Sequence, residues 1–411
     1  MNWIAETALP RATPQAIAEL HDIPFGMRSA LKIFLKLPMG RLSVLFPSGE
    51  GLVFEGSEPG PEATLKINDF RFVRRALSGG DVGLGEGYMA GEWETPDLTA
   101  LLMFFAENLD SRPDMVAGGP LTRFAHWVYH QLRANTPSQA RKNIAAHYDL
   151  GNAFYEKWLD SSMTYSAARF DQPNQLLEDA QHNKYRALAD SIGLKEGDHV
   201  LEIGCGWGGF AEYAARERGA KVTCLTLSTE QRAYAIERME KLQLGDRVDI
   251  KLQDYRDETG TYDKIASIEM FEAVGQEYWP SFFQKVHDCL KPGGRAGLQI
   301  ISIRDDLFDT YSRRADFIQR YIFPGGVLPS LEKLKDEFSR ASLQLEKLEA
   351  FAIDYADTLA EWMKRFTHAW DDIRPLGFDD RFRRMWKFYL AYCEAGFRTG
   401  RIDVAQYTLS R

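Results

Sequence analysis

From about residue 185 the sequence alternates between short apolar segments and helical segments, and this alternation constrains the fold more than any other feature. Helical stretches such as "FAEYAARERG" and "TEQRAYAIERMEKLQ" separate the apolar segments. Strands that are separated by helices pair in parallel, and the helices cover both faces of the sheet. We therefore expect an α/β fold with a Rossmann-like parallel sheet. The five strand-like segments are "HVLEIG", "KVTCLTLS", "VDIKLQD", "YDKIASIEM" and "RAGLQIISI".

The 411 residues are too many for one small core, and the sequence divides into three parts. Residues 1–125 contain short strand-like pieces beside a helical stretch, which indicates a small α+β domain. Its lysine-containing helical stretch fits a lipid-facing helix, which would make this a lipid- or membrane-associated domain, and fits equally a helix whose lysines are simply solvated. Residues 126–185 read as a helical connector that caps the site, and residues 186–411 as the catalytic domain. The segment after "YIFPGG" (321–326) reads as mostly helical.

Charge and cysteine content limit the function classes. The net charge of -9 argues against nucleic acid as the main partner. The four cysteines are scattered without a CxxC pair, so we expect neither a zinc site nor a disulfide framework. We find no apolar run near the roughly 20 residues that span a bilayer, and no signal-peptide pattern at Met1. We therefore expect a cytoplasmic location.

The turn "GCGWGG" (Gly204–Gly209) follows the first strand and opens a helix, which indicates a site for a nucleotide-like cofactor. An NAD site would have an acidic residue at the end of the second strand, but that place reads "CLTLS". Glu202 in the first strand and Asp254 after the third favour S-adenosylmethionine instead. An NAD-dependent oxidoreductase therefore becomes a distant alternative.

Motifs along most of the chain resemble the cyclopropane-fatty-acyl-phospholipid synthase family. They include "AAHYDLGNAFYEKWLDSSMTYSAARF", "VLEIGCGWGGFAEYAA", "QDYRD", "FEAVG" and "FYLAYCEAGFR". The resemblance implies a class I methyltransferase domain preceded by a smaller α+β N-terminal domain. It also implies transfer of carbon from S-adenosylmethionine to a cis double bond in a phospholipid acyl chain. The implied cofactor-binding residues are Tyr165, Ser166, Glu202, Gly204, Gly206, Gly208, Thr226, Gln231 and Asp254.

The stretch "SIEMFEAVG" holds two carboxylates, Glu269 and Glu272, in apolar surroundings. In the family that this chain resembles, a bound bicarbonate ion acts as base, held by a glutamate that matches Glu272. The other residues that hold the ion are largely missing, so bicarbonate is doubtful as a cofactor here. The replacements are Ala167 for a cysteine, Ala273 and Gln299 for histidines, and Met363 for a tyrosine.

Glu269 stands where the family has a glycine, and we interpret it as a built-in base that replaces the ion. The competing interpretation makes Glu269 a hydrogen-bond acceptor outside the chemistry or a strand-end charge. A repositioned base could favour a mid-chain methyl or methylene product or a cyclopropane, and the sequence does not decide between them. A saturated methyl branch would need a separate reductase, because we find no flavin-binding pattern.

Two other function classes stay open: an amine N-methyltransferase on the same core, and a non-catalytic lipid-binding protein. The sequence also leaves open whether the chain forms a homo-oligomer. For a membrane-embedded substrate we expect peripheral association with the inner face of the membrane. Two stretches with cations beside apolar residues are candidates for docking: Arg28–Leu37 and Arg381–Leu390.

Overall fold

A computed structural model of the chain describes residues 9–110 and 150–411. The described residues form two compact units. The first contains residues 9–110, 314–321 and 378–399, and the second contains 150–313, 322–377 and 400–411. Residues 126–149 of the predicted connector lie outside the described residues.

The first unit has a four-stranded sheet in the order β2-β1-β3-β4, in which β1 pairs parallel with β3 and antiparallel with β2. Helix α3 contains a kink at Gly80, which has a non-helical backbone (φ 59°). The elements are α1 (Pro14–Glu19), α2 (Phe25–Phe34), β1 (Met39–Leu45), β2 (Gly51–Glu55), β3 (Glu58–Ile67), α3 (Arg71–Met89), β4 (Trp93–Glu94) and α4 (Leu98–Asp110). This mixed composition fits the predicted α+β domain.

The long helix Asp380–Arg398 near the end of the chain belongs to the first unit, although the sequence assigns it to the catalytic domain. Its Trp386 and Phe388 are 1% and 0% exposed, and the Phe388 ring lies 6.0 Å from that of Tyr88. Arg384 donates a 2.7 Å hydrogen bond to Glu94. The expectation that Arg381–Leu390 docks to lipid is therefore wrong, because its aromatic residues form part of the core.

The second unit is built on a seven-stranded sheet in the order β10-β11-β9-β8-β5-β6-β7. Strands β5 to β9 pair in parallel, as predicted, and β10 and β11 add an antiparallel edge that the sequence pattern does not predict. The strands are β5 (His199–Ile203), β6 (Lys221–Thr226), β7 (Val248–Leu252), β8 (Tyr262–Ile268), β9 (Leu290–Ile303), β10 (Gln344–Ala350) and β11 (Ile402–Ser410).

Helices cover both faces of this sheet, with one apolar core on each face. One core contains Phe282 and Phe338, and the other contains Leu188 and Phe210. The helices of the second unit are α5 (Asn152–Tyr155), α6 (Leu177–Ser191), α7 (Gly209–Glu217), α8 (Thr229–Lys241), α9 (Trp279–Cys289), α10 (Asp305–Tyr311), α12 (Leu331–Arg340), α13 (Ala352–His368) and α14 (Trp370–Ile373). Two further helices in this part of the chain belong to the first unit: α11 (Phe317–Tyr321) and α15 (Asp380–Arg398). Short 3-10 turns lie at Tyr255–Asp257, Phe271–Ala273, Gln276–Tyr278 and Arg374–Leu376.

None of the helices in the described ranges is both long enough and apolar enough to cross a membrane.

Candidate active site

The candidate site lies at the carboxyl ends of the parallel strands. Gly204 follows β5, Asp254 follows β7 and Glu269 follows β8, while Thr226 is the last residue of β6. Strand β5 lies between β8 and β6, so the chain runs outward from it in both directions. Open α/β sheets bind ligands at such a switch point, in the crevice outside the carboxyl ends.

The glycine turn after β5 needs its glycines for conformation and for space. Gly204, Gly206 and Gly208 have φ values of 83°, 52° and 85°, a region that residues with a side chain rarely adopt. A Cβ atom on Gly204 would lie 2.5 Å from the Met270 side chain, whereas one on Gly206 would meet nothing within 4 Å. The turn therefore brings backbone close to open space at the start of α7, where free N–H groups can bind a ligand.

Most of the other predicted cofactor residues are buried around this turn. Glu202 is 3% exposed, and burial raises its pKa to about 8. Thr226 donates a 3.2 Å hydrogen bond to Gln231, which is also buried. Asp254 caps the Tyr255–Asp257 turn and accepts two hydrogen bonds from the Arg256 guanidinium, at 2.8 and 2.6 Å. The Asp254 carboxylate, one of the implied cofactor-binding groups, is therefore already ion-paired with a neighbour.

Three consecutive residues, Tyr165, Ser166 and Ala167, lead from an aromatic cluster to Glu269. The Tyr165 ring lies 5.2 Å from the Trp362 ring, in a cluster of aromatic side chains. The Ser166 hydroxyl accepts a 2.6 Å hydrogen bond from Lys184 Nζ. The Ala167 N–H donates to Oε1 of Glu269 at 2.8 Å. Two predicted cofactor residues are therefore next in the chain to Ala167, which contacts the predicted base.

Glu269 has a left-handed backbone conformation, and both oxygens of its carboxylate accept hydrogen bonds. Its φ is 49°, which is unfavourable for a residue with a side chain. Oε1 accepts hydrogen bonds from the Ala167 N–H and from the Gln299 amide at 2.7 Å, and Oε2 accepts one from the Tyr355 hydroxyl at 2.6 Å. Burial raises the pKa of Glu269, while these donors and the Lys184 charge act in the opposite direction.

Glu272 differs from Glu269 in its hydrogen bonding. Its Oε1 accepts a 2.5 Å hydrogen bond from the Ile301 N–H, but its buried Oε2 has no partner among the described residues. Burial, followed by the charge of Glu269, raises the pKa of Glu272 to about 8. Two acids whose surroundings differ in this way suit different roles. The donors around Glu269 favour its ionised form, whereas a pKa of about 8 favours the protonated form of Glu272 at pH 7.

Two residues of the site are missed by the sequence interpretation. In the family resemblance, Met363 occupies the position of the tyrosine. In the structure, the tyrosine whose hydroxyl contacts Glu269 is Tyr355, which lies on the same helix α13. Lys184 is fully buried, and its pKa is lowered to about 7 by burial, against the attraction of Glu269. Ala167 and Gln299 do contact Glu269, whereas Ala273 is exposed.

The geometry can be compared with known proteins. The family profile described as mycolic acid cyclopropane synthetase matches residues 135–407. The chain belongs to this family. It is therefore an enzyme of the S-adenosylmethionine-dependent methyltransferase class that acts on lipid acyl chains, and the resemblance seen in the sequence is confirmed.

Members of the family can be aligned with most of this chain. Tuberculostearic acid methyltransferase UfaA1 of Mycobacterium tuberculosis is 41% identical over 354 residues, which are 82% of this chain and 81% of that one. Cyclopropane-fatty-acyl-phospholipid synthase of Escherichia coli K12 is 36% identical over 377 residues, 89% of this chain and 91% of that one.

A solved structure supports the fold and the co-substrate. Mycolic acid cyclopropane synthase CmaA1, complexed with SAH and CTAB, has a TM-score of 0.63 and 29% identity and covers 66% of this chain and 98% of that one. The predicted class I methyltransferase fold is confirmed. As a member of this family, the present protein uses S-adenosylmethionine as its co-substrate. The open space above Gly206 at the start of α7 fits such a ligand.

Proposed function

We propose that this enzyme transfers a one-carbon group from S-adenosylmethionine to the cis double bond of an unsaturated phospholipid acyl chain, with Glu269 as the base. The family gives the acyl-chain methyltransferase activity. Support for a phospholipid as the substrate comes from the name of the Escherichia coli relative. The base assignment depends on this chain's own residues.

The backbone of Glu269 is the observation that carries the proposal. A left-handed conformation at a residue other than glycine costs of order 1–3 kcal/mol and persists where function needs it. The family resemblance implies glycine at this position, which would adopt φ 49° without that cost. Here a strained glutamate occupies it and directs its carboxylate to three donors. A chemical role for the carboxylate accounts for keeping the unfavourable residue.

The reaction needs a base in a site that excludes water. S-adenosylmethionine supplies an electrophilic methyl group, and its addition to the alkene leaves a positive charge on the acyl chain. The ionised Glu269 stabilises that charge and accepts the proton that is lost as the product forms. The raised pKa of Glu272 favours a protonated side chain that adds no second negative charge, and the proton later returns from Glu269 to water.

For the product we propose a mid-chain methylene or methyl branch, with a cyclopropane as the competing outcome. Both arise from the same positive charge. Loss of a proton from the new methyl group at once closes a cyclopropane ring, whereas a hydride shift to the charged carbon before the proton is lost gives the methylene branch. The name of the methyltransferase that is 41% identical supports the branched product. A saturated branch would still require a reductase acting on the methylene product.

We further propose that the glycine turn and its buried neighbours hold the co-substrate. Tyr165 and Ser166 would lie on its methionine side and Thr226 with Gln231 on its ribose side. Asp254 would face the adenine from its ion pair with Arg256. The remaining proposed contacts are Glu202, Gly204, Gly206 and Gly208.

Lipid analysis tests the function directly. Cells that express the enzyme should contain acyl chains that are heavier by one CH2 unit, as measured by mass spectrometry. NMR of the purified fatty acids then distinguishes a methylene group from a cyclopropane ring of the same mass. Unchanged acyl chains, together with methylation of added amines by the purified enzyme, would replace this proposal with the amine N-methyltransferase.

Variants of Glu269 test the base. Glu269→Gln should retain S-adenosylhomocysteine binding and lose about 10²–10⁴-fold in turnover. Glu269→Gly removes the carboxylate and also the unfavourable backbone conformation, so turnover should be lost although the position no longer carries that strain. Wild-type turnover should persist in bicarbonate-depleted buffer. Full activity of the glycine variant without bicarbonate would show that Glu269 is not the base.

A further inference from the structure

The amide that binds Glu269 is itself held by a second amide. Gln299 lies in β9, and Gln406 lies directly opposite it in the antiparallel register of β11. The two side chains are 1% and 2% exposed. Gln406 Nε2 donates a 3.1 Å hydrogen bond to Oε1 of Gln299, and Gln299 Nε2 donates to Glu269.

The orientation of the Gln406 amide follows from its other neighbours. Its Nε2 also donates to the main-chain carbonyl of Lys184 at 3.2 Å, and its Oε1 accepts from Arg169 at 3.4 Å. A carbonyl can only accept and a guanidinium can only donate. The reversed amide would turn its oxygen to the carbonyl and its NH2 group to the guanidinium, so only the observed orientation satisfies both.

Arg169 is held in place independently of the two amides. Its guanidinium lies 3.5 Å from Glu349 on β10 and over the Phe351 ring, 5.1 Å from the ring centre. The residues therefore form a directed series from Arg169 through Gln406 and Gln299 to Glu269. Each donor in the series faces an acceptor.

This series decides which group Gln299 presents to the acid. With its oxygen engaged by Gln406, Gln299 must turn its NH2 group to Glu269. A donor at this place favours the ionised carboxylate, the form that can accept a proton. A flipped Gln299 would present its oxygen to the carboxylate oxygen and favour the protonated form.

We propose that Gln406 is a positioning residue for catalysis, which keeps the Gln299 amide turned so that it donates to Glu269. The proposal rests on the proposed role of Glu269 as base. Gln406 itself touches neither of the acids in the hydrogen-bond pattern, and it acts through Gln299.

The pH profile of kcat/KM reports this role. Gln406→Met has a similar length and cannot fix the Gln299 amide, so Glu269 should hold its proton more tightly. The acidic limb of the profile should move to higher pH. At a fixed pH on this limb, kcat/KM should fall about tenfold, which corresponds to the loss of one hydrogen bond to a charged group. The other charged and titratable side chains that act on Glu269 or are acted on by it stay in this variant: Lys184, Tyr355 and Glu272. Lys184 loses only the hydrogen bond that its main-chain carbonyl accepts from Gln406.

A double-mutant cycle separates positioning from a general packing effect. If Gln406 acts through Gln299, Gln406→Met should shift the profile in the wild-type background and leave it unchanged in a Gln299→Met background. Equal shifts in both backgrounds, or no shift in either, would overturn the proposal. Thermal unfolding of all four proteins shows whether a loss of activity is only a loss of folded enzyme.

The outcomes also distinguish the two proposals. If Glu269→Gln stays active, the base assignment fails whatever the Gln406 variants do. If Glu269→Gln is inactive while Gln406→Met keeps the wild-type pH profile, the base assignment stands and the positioning role of Gln406 is wrong.

Discussion

The hydroxyl of Tyr355 donates a 2.6 Å hydrogen bond to Oε2 of Glu269, which joins helix α13 to the end of strand β8. Helix α13 also carries Thr358, whose hydroxyl accepts a hydrogen bond from the Ala168 N–H. One helix therefore contacts both Glu269, the proposed base, and the segment that donates to it. Helix α13 therefore helps to hold Glu269 and its donor segment in place.

The first prediction concerns Tyr355→Phe. This variant removes one donor to the ionised Glu269, which raises the pKa of that carboxyl further. Because the base must be ionised, the acidic limb of the pH profile should move to higher pH. The lost hydrogen bond to a charged group contributes about 1.5–3 kcal/mol, so kcat/KM should fall at least about tenfold.

Met363→Leu is the matched control, because it lies on the same helix and conserves side-chain volume. It should leave kcat/KM and the pH profile unchanged. The reverse result, an unaffected Tyr355→Phe and an inactive Met363→Leu, would restore the assignment that the sequence resemblance implies.

The second prediction concerns stability and pH. Burial and the charge of Glu269 raise the pKa of Glu272 from 4.5 to about 8. Between these values the folded protein holds a proton at Glu272 that the unfolded chain has lost. The free energy of unfolding should therefore fall as pH rises through this window, by at most about 1.4 kcal/mol per pH unit from this group.

Glu272→Gln should remove that contribution, because the amide does not titrate. The decline in unfolding temperature between about pH 5 and 8 should become shallower than in the wild type. The exposed Glu240 on α8 provides a control, and Glu240→Gln should keep the wild-type slope. An identical slope in the Glu272 variant would mean that Glu272 is ionised in the folded protein at neutral pH.

The third prediction concerns the co-substrate. Gly206→Val should abolish binding of S-adenosylhomocysteine, because it fills the open space above the turn and strains a backbone at φ 52°. Gly245→Ala is the control, since it adds a methyl group at an open position without a positive φ. Titration calorimetry on both variants measures their affinity for S-adenosylhomocysteine. Unchanged binding by the valine variant would place the ligand elsewhere.

Much of the catalytic domain is predictable because its patterns are local. Strands β5 to β9 are apolar segments between helices, and the glycine turn lies where the alternation places it. Strand β10 is different, because most of its residues are exposed and "QLEKLEA" has no continuous apolar run. It becomes a strand by pairing with β11, a tertiary contact that periodicity does not reveal.

In the site, too, some residues can be predicted from the local sequence and others only from the fold. Glu269 and Glu272 are conspicuous as charges in an apolar segment. Tyr355 contacts Glu269, and Gln406 contacts Gln299, only because the fold brings them together. Lys184 has a local signal, since it lies on the stripe of α6 that also carries the buried Ala180 and Leu188. A lysine on such a stripe marks a buried charge that needs a partner.

The last prediction concerns docking to membranes through helix α2. The structure buries the apolar side of this helix, with Leu31 at 0% exposure, so that side is not available to lipid. Phe25 at its start is 86% exposed, and Lys32 and Lys36 are exposed. These three residues, which we call the α2 surface, combine one apolar side chain with two cations.

We expect the α2 surface to bind anionic vesicles in a salt-dependent manner. Each cation near an anionic surface contributes about 1 kcal/mol, and salt screens this attraction within about 10 Å at 0.1 M. The double variant Lys32→Glu, Lys36→Glu should therefore lose vesicle binding and activity on vesicles but retain activity on detergent-dispersed substrate. Phe25→Ser should weaken binding at every salt concentration.

The control must change the net charge equally at another place. Lys195→Glu combined with Lys335→Glu reverses two exposed lysines of the second unit. Because a local attraction depends on position and not on net charge, this control should bind anionic vesicles as the wild type does. Equal loss in both double variants would attribute binding to overall charge, and equal binding to neutral and anionic vesicles at all salt concentrations would exclude the α2 surface as an electrostatic docking site.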